Sequence, residues 1–485
     1  MSSSSNPDAL AALRPLWQAA GLPETVLSQI QLPGQQPVMP SSFAVATAAQ
    51  ASMGAAAGAA AALWQLRTGQ CQSVQVDRAH AALECTGYFS LDGRVPALWD
   101  KLSGLYACAG AAGEGGWVRI HANFAHHRDI ALQVLGLPPG DATPRSAVAG
   151  ALQGWSALDF EQAAANAGGV VAAVRSFAQW QAHPQSQALA AQPVVRIARI
   201  DNAAGAPAAP ARWPAINHTQ RPLHGLRVLD LTRILAGPVA GRLLAAYGAD
   251  VMLVNGPHLP NIESIADTSR GKLSTLIDLR QATGRAQLDA LAGQAQVFVQ
   301  GYRPGALAAL DFGAEALARR HPGIVVASLS AYGNQGPWAD RRGFDSLVQT
   351  ASGFNLAEAE AAGASKPKAL PMPILDYAAG HLLAFGIQAA LWRQATQGGS
   401  WQVEVTLAGV GHWLRSLGRL ADGLAVTQPM IEPYLEESRC GFGTGVGGTG
   451  TLRAVRHAAV FSATPAAWLR PSMPPGSHPP VWPGA

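Results

Sequence analysis

Residues 225–254 read GLRVLDLTRILAGPVAGRLLAAYGADVMLV. LRVLDL is an apolar run of strand length, Gly237 to Tyr247 carries a helical pattern, and ADVMLV is a second apolar run. Strand, helix and strand joined by short connections form a β-α-β unit, and strands apolar on both faces belong in a sheet covered on both sides. The alternation continues outward with STLIDL (274–279), the helical GRAQLDALAG (284–293), QVFVQ (296–300), the helical EALARRH (315–321) and GIVVASLSAYG (323–333). This pattern predicts an α/β fold built on a parallel, doubly wound sheet, with its chemistry at the carboxyl ends of the strands.

The flanking regions are less regular. Residues 1–40 are polar and proline-marked and read as a loosely attached leader, and Ala44 to Trp64 is an uncharged Ala- and Gly-rich stretch. That stretch is long enough to cross a bilayer but lacks the Leu, Ile, Phe and Val that favour insertion, so a packed helix in a protein that does not enter the membrane is expected. Residues 41–200 then read as this helix followed by a smaller α/β domain, 201–221 as an Ala- and Pro-rich linker, 222–430 as the sheet-bearing domain, and 431–485 as a Gly- and Pro-rich loop with a C-terminal extended arm. Of 485 residues, 48% are hydrophobic, which excludes a disordered chain, and only 13% are charged. The net charge of +4 comes with no Lys/Arg run, so nucleic acid is not an expected partner. Four cysteines without a CxxC pair and the lack of a basic, then apolar, N-terminal segment suggest reduced thiols in the cytoplasm.

Several chemistries are disfavoured by their missing motifs. After LRVLDL the turn TRILAGPVAG has no G-x-G-x-x-G, and the match at Gly443, Gly445 and Gly448 follows no strand and reads as a loop. No phosphate-loop motif or G-x-S-x-G occurs, and His121, His126 and His127 have neither helical metal-ligand spacing nor a nearby ligand set, so no metal is expected.

Five segments in order carry more information: 221–254, SRGKLSTLIDL (269–279), FVQGYRPGALAALDFG (298–313), HPGIVVASLSAYGNQGPWADRRGFDSLVQTASG (321–353) and MPILDYAAGHLLAFGIQAALW (372–392). Together they resemble the class III CoA-transferase family, which includes formyl-CoA transferases and α-methylacyl-CoA racemases. The resemblance implies a large Rossmann-like domain with a parallel sheet plus a smaller α/β domain, no tightly bound cofactor, coenzyme A or an acyl-CoA as substrate with a carboxylate as partner, and an interlocked homodimer. It places the nucleophile at Asp376, which would attack the thioester carbonyl. With an ordinary carboxylate pKa this group would be ionised at neutral pH and need no base. Read without the resemblance, Asp376 is a helix N-cap. The resemblance also assigns Arg233, Ile234, Leu235, Ala236, Arg270, Lys272, Tyr302 and Arg303 to the nucleotide and Arg342 to the pantetheine.

The sequence departs from the family's pattern in places. Gly301 stands where an asparagine is usual, and Asn255-Gly256-Pro257-His258 replaces an acidic, glycine-rich run, which weakens the expected CoA contacts. Phe344, expected in the substrate pocket, stands where the racemases carry a histidine base, so racemase or isomerase chemistry is the less favoured alternative within the family. A non-catalytic CoA- or acyl-CoA-binding protein is the alternative from another class. Finally, AALWQLRTGQCQSVQVD (61–77) echoes AALWRQATQGGSWQVEVT (389–406), and aligning them sets Ala48 opposite Asp376. The echo suggests a partly duplicated, rearranged chain with one nucleophile.

Overall fold

The computed structural model describes residues 8–34, 36–109, 115–200 and 213–484. Its main sheet contains β1 (Val195–Ile200), β2 (Arg227–Leu231), β3 (Asp250–Asn255), β4 (Leu273–Leu276), β5 (Val297–Gln300), β6 (Val325–Ser330) and β7 (Ser400–Thr406). The helices that shape the site are α1 (Ala9–Ala20), α2 (Val45–Thr68), α3 (Ala125–Val134), α4 (Ala236–Ala246), α5 (Asp345–Ala351) and α6 (Ile374–Gln397).

The strand order is β4-β3-β2-β5-β6-β7-β1. Strands β2 to β7 are mutually parallel and β1 closes the edge antiparallel to β7. The order of the parallel strands reverses between β2 and β5, and at such a switch point the connecting loops diverge and leave a crevice. Pleating divides the strand side chains between two cores. Val228, Val251 and Val325 pack towards α4 and α6, while Leu229, Met252, Phe298 and Val326 pack towards the helix Ala282–Ala292 and the C-terminal Trp482.

Helix α6 is buried along nearly its whole length, since α4 lies on one flank and α2 on another. Glycine permits these approaches: a Cβ on Gly380 would sit 2.5 Å from the Ala236 carbonyl oxygen. The sequence echo has a structural counterpart, because α2 and α6 are each 24 residues long and run side by side in one direction. Ser52 Oγ lies 3.1 Å from His381 Nδ1, and Gln388 Nε2 donates to the Ala56 carbonyl at 3.0 Å. By length and composition α6 could cross a membrane, yet it is buried inside this fold.

The expected domain limits change in four respects. The leader is not loose: Leu13, Leu16, Trp17 and Ala20 of α1 are buried, with Trp17 against Gly58 of α2. The stretch 41–200 is divided, because α2 belongs to the main core and Val195–Ile200 is the main sheet's edge strand. The smaller α/β unit has its own core around an antiparallel sheet of Gly104–Cys108, Gly116–Ile120 and Val171–Ala173. Of the linker 201–221, residues 201–212 lie outside the described residues, and the rest is held by Arg67, which donates to the Pro214 and Pro222 carbonyls at 2.7 Å. The segment 431–485 contains a hairpin, Leu435–Cys440 with Gly450–Val455, and Gly443, Gly445 and Gly448 form its turn.

Candidate active site

A cleft of about 380 Å³ opens at the switch point between β2 and β5. Its floor is the β2–α4 turn, Leu231 and Arg233 to Ala236, and its walls are the 301–306 loop, the end of β6, the 339–344 loop and Asp376. Ile234 in the turn has φ 77, a conformation a β-branched residue adopts only under constraint from its surroundings. The strain turns the chain sharply enough to point the start of α4 at the cleft.

Asp376 is the third residue of α6, not its N-cap, which is Pro373. The capping role falls to Asp345, the first residue of α5. Its Oδ2 accepts the Leu375 N–H at 2.8 Å and the Asp376 N–H at 3.1 Å, and Gln349 donates to its other oxygen. Asp376 itself is 9% exposed and lines the cleft. Its carboxyl accepts no hydrogen bond from the described residues, so it is held by its backbone and open to a ligand. Burial, reinforced by the adjacent Asp345, pushes the Asp376 carboxyl well above the usual carboxylate range. Burial also raises Asp345 to about 6, although the two backbone N–H groups, Gln349 and Arg119 oppose the rise. The expectation of an ordinary carboxylate at Asp376 is therefore corrected.

Of the residues assigned to CoA, Arg233, Ile234, Leu235, Ala236, Tyr302, Arg303 and Arg342 all line this cleft, as does Phe344. Among the described residues Arg233, Arg303 and Arg342 pair with no carboxylate. Arg233 instead donates to the Pro260 carbonyl and lies 5.9 Å over the Phe124 ring, and Arg342 donates to the Gly168 carbonyl. Unpaired guanidinium groups in a concave site suit phosphate or carboxylate.

Arg270 and Lys272 are not there. Lys272 is fully buried, and its Nζ donates to Asp230 Oδ2 at 2.9 Å and to the Pro238 carbonyl at 2.8 Å. It braces β2 against α4 where Gly241 leaves room, since a Cβ there would meet Asp230 Oδ2 at 2.2 Å. Arg270, 3% exposed, pairs with Asp267 at 2.6 Å and Glu436 at 3.0 Å and stacks 3.8 Å over Trp468. Both cations are spent inside the protein, so neither reaches a nucleotide.

The smaller α/β unit adds residues the sequence did not point to. Phe124, His126 and His127, from the start of α3, complete the cleft wall. Phe344 stacks on His121 with ring centroids 3.9 Å apart and is 6.1 Å from the His127 ring. Burial lowers His121 and His127 to about 3, so both imidazoles are neutral at physiological pH. Nothing in HANFAHH distinguishes these histidines from packed ones; only their fold neighbours do.

Residues 223–430 match CoA-transferase family III. The chain is 33% identical over 235 residues to the probable fatty acyl-CoA transferase Rv3272 of Mycobacterium tuberculosis, covering 45% of this chain and 59% of that protein. It is also 33% identical over 241 residues to a succinate–glutarate CoA-transferase of Agrobacterium fabrum, covering 44% and 60%. The crystal structure of Rv3272 superimposes on 41% of this chain and 58% of its own, with 32% identity and a TM-score of 0.35. The chain thus spans about three fifths of the length of these curated relatives. Residues 223–430, the segment that matches CoA-transferase family III, carry most of the switch-point cleft and Asp376.

Proposed function

We propose that the protein is an acyl-CoA:carboxylate CoA-transferase whose nucleophile is Asp376. The observation that carries this reading is the Asp376 carboxyl at the end of a cleft lined by unpaired arginines, with no hydrogen bond from the described residues. The Asp376 carboxylate attacks the thioester carbonyl of the donor acyl-CoA, the C–S bond breaks, and a mixed anhydride and the CoA thiolate result. The thiolate attacks the aspartyl carbonyl, which releases the donor acid and leaves an aspartyl-CoA thioester. The acceptor carboxylate then attacks that thioester to give a second anhydride, and CoA thiolate attacks its acceptor acyl carbonyl. Acyl-CoA leaves and the Asp376 carboxylate is restored.

Burial gives this carboxylate two properties: it is weakly solvated, and it must lose its proton from a raised pKa before it attacks. Asp345 fixes the α6 amides and so the position of the nucleophile. Arg233, Arg303 and Arg342 are assigned to the anionic parts of the substrates. The family resemblance carries a homodimer with it, which sedimentation analysis tests.

Incubation with acyl-CoA followed by mass spectrometry, or trapping with hydroxylamine, should reveal an adduct on Asp376 that Asp376→Ala lacks while remaining folded. CoA binding with neither adduct nor transfer would make the protein a CoA-binding module instead.

A further inference from the structure

The chain between β6 and α5, residues 331–344, forms one wall of the cleft and has no regular secondary structure. Within it two main-chain hydrogen bonds form, from the Ala339 N–H to the Gly336 carbonyl and from the Arg341 N–H to the Trp338 carbonyl. The remaining support comes from residues before 200, outside the segment that matches the family. Gln185, in the helix Pro184–Ala190, is 0% exposed and spends its whole amide on this loop. Its Nε2 donates to the Tyr332 carbonyl at 2.7 Å and the Gln335 carbonyl at 2.8 Å, and its Oε1 accepts the Trp338 N–H at 2.7 Å. Gly336 makes room for the amide: it has φ 84, and a Cβ there would lie 2.5 Å from Gln185 Oε1. Beyond Trp338 the loop is drawn onto the smaller unit, where Arg341 reaches the Glu161 carbonyl at 3.4 Å and Arg342 donates to the Gly168 carbonyl.

We propose that Gln185 is a positioning residue for CoA transfer: through three main-chain groups it holds the 331–344 loop so that Arg342 faces the cleft, and it thereby sets the affinity for the CoA ester. This rests on the reading of the cleft as the acyl-CoA site. Gln185 does not line the cleft, so its effect must pass through the loop. Buried main-chain groups need partners, and a loop that loses three of them at once turns outward to find water. A side chain carried on that loop, as Arg342 is, is then in place for only part of the time. The nucleophile is spared, because Asp376 is held by Asp345 Oδ2 and Asp345 in turn by Gln349, and these bonds lie in α5 and α6. The loss of Gln185 should therefore weaken binding and leave the rate of attack alone.

The test compares the full-length wild type with Gln185→Met, which keeps the length of the side chain and removes its amide. Gly336→Ala disturbs the same contact from the loop side, through its positive φ and its approach to Gln185 Oε1. Three quantities are read: tryptic cleavage after Arg341 or Arg342, mapped by mass spectrometry; the dissociation constant of free CoA, by calorimetry; and the plateau rate of adduct formation on Asp376 with saturating acetyl-CoA or succinyl-CoA. In both variants cleavage in the loop should speed up about tenfold, because proteolysis follows the population of the open form. CoA should bind about tenfold more weakly, since apparent affinity falls with the fraction of molecules whose loop is in place. The plateau rate should stay within about twofold of wild type, because the Asp345 bonds that hold Asp376 are untouched. Unchanged cleavage and affinity in Gln185→Met would overturn the proposal, as would faster cleavage with unchanged affinity. A plateau that falls in step with the loss of folded protein, at constant affinity, would reduce Gln185 to a structural role and overturn it too. Should Gln185→Met fail to fold, Gly336→Ala decides by the same three readouts. Failure of both esters to label Asp376 in the wild type would overturn the nucleophile, and the CoA affinities would still decide Gln185.

Discussion

Lys272→Met removes one partner of a wholly buried ion pair. Lys272 and Asp230 are both 0% exposed, and the lysine also satisfies the Pro238 carbonyl. The methionine keeps the length of the side chain, so little volume is lost. Asp230 retains only the Thr232 N–H at 3.0 Å and the Thr232 hydroxyl at 2.5 Å. An uncompensated buried charge of this kind costs about 3–5 kcal/mol. Losing the hydrogen bond to Pro238 adds about 1 kcal/mol, against a total stability of about 5–15 kcal/mol. Chemical denaturation followed by tryptophan fluorescence should show a large fall in the midpoint. The double variant Asp230→Leu/Lys272→Met should recover most of it, because an apolar pair of similar size carries no desolvation penalty. An unchanged midpoint with weakened CoA binding would refute the buried-brace argument and return Lys272 to the nucleotide.

Other predictions concern the cleft. Asp376 has a folded-state pKa above its unfolded value, so its contribution to stability is full below about pH 4 and is lost as pH rises through the raised pKa. Asp376→Asn should therefore melt higher than wild type at pH 8 and equal to it at pH 4; a lower melting point at pH 8 would contradict the burial argument. The same shift places an acid limb on catalysis. An ordinary carboxylate would be roughly 90% ionised at pH 5, whereas adduct formation here should fall well below its plateau by that pH. A flat profile from pH 5 to 8 would show that Asp376 is not perturbed. Gly380→Ala drives a methyl into the Ala236 carbonyl at the contact of α4 with α6. It should cost about 1–3 kcal/mol and lower adduct formation, since both helices line the cleft, through Ala236 and Asp376; an unaffected midpoint would mean the helices can part freely.

The parallel sheet was legible because apolar runs of strand length alternate with helical patterns over 225–333, and period decides such elements locally. The cleft followed from strand order, and Asp376 from the family's motif. Lys272 was misread because scarcity in composition says nothing about exposure. Its burial depends on Asp230, 42 residues away, and on the missing side chain of Gly241. The first residues were misread because prolines mask a helical stripe: Leu13, Leu16, Trp17 and Ala20 follow i, i+3, i+4, i+7 spacing, with Pro15 inside the helix. His126 and His127 could not have been found from spacing, since they come to line the same cleft as Asp376 only through the docking of the smaller unit on the 339–344 loop.

The pairing of α2 with α6 also bears on how the chain reaches this state. The Ser52–His381 contact joins positions 329 residues apart. Closing so long a loop costs entropy before any contact compensates for it, and folding rates fall as contacting residues lie further apart in sequence. As the chain leaves the ribosome, α2, uncharged but for Arg67 in its last turn, emerges hundreds of residues before its partner helix exists. It must wait with its flank uncovered, which makes the early chain a substrate for chaperones and the arrival of α6 the step that commits the two halves to one another.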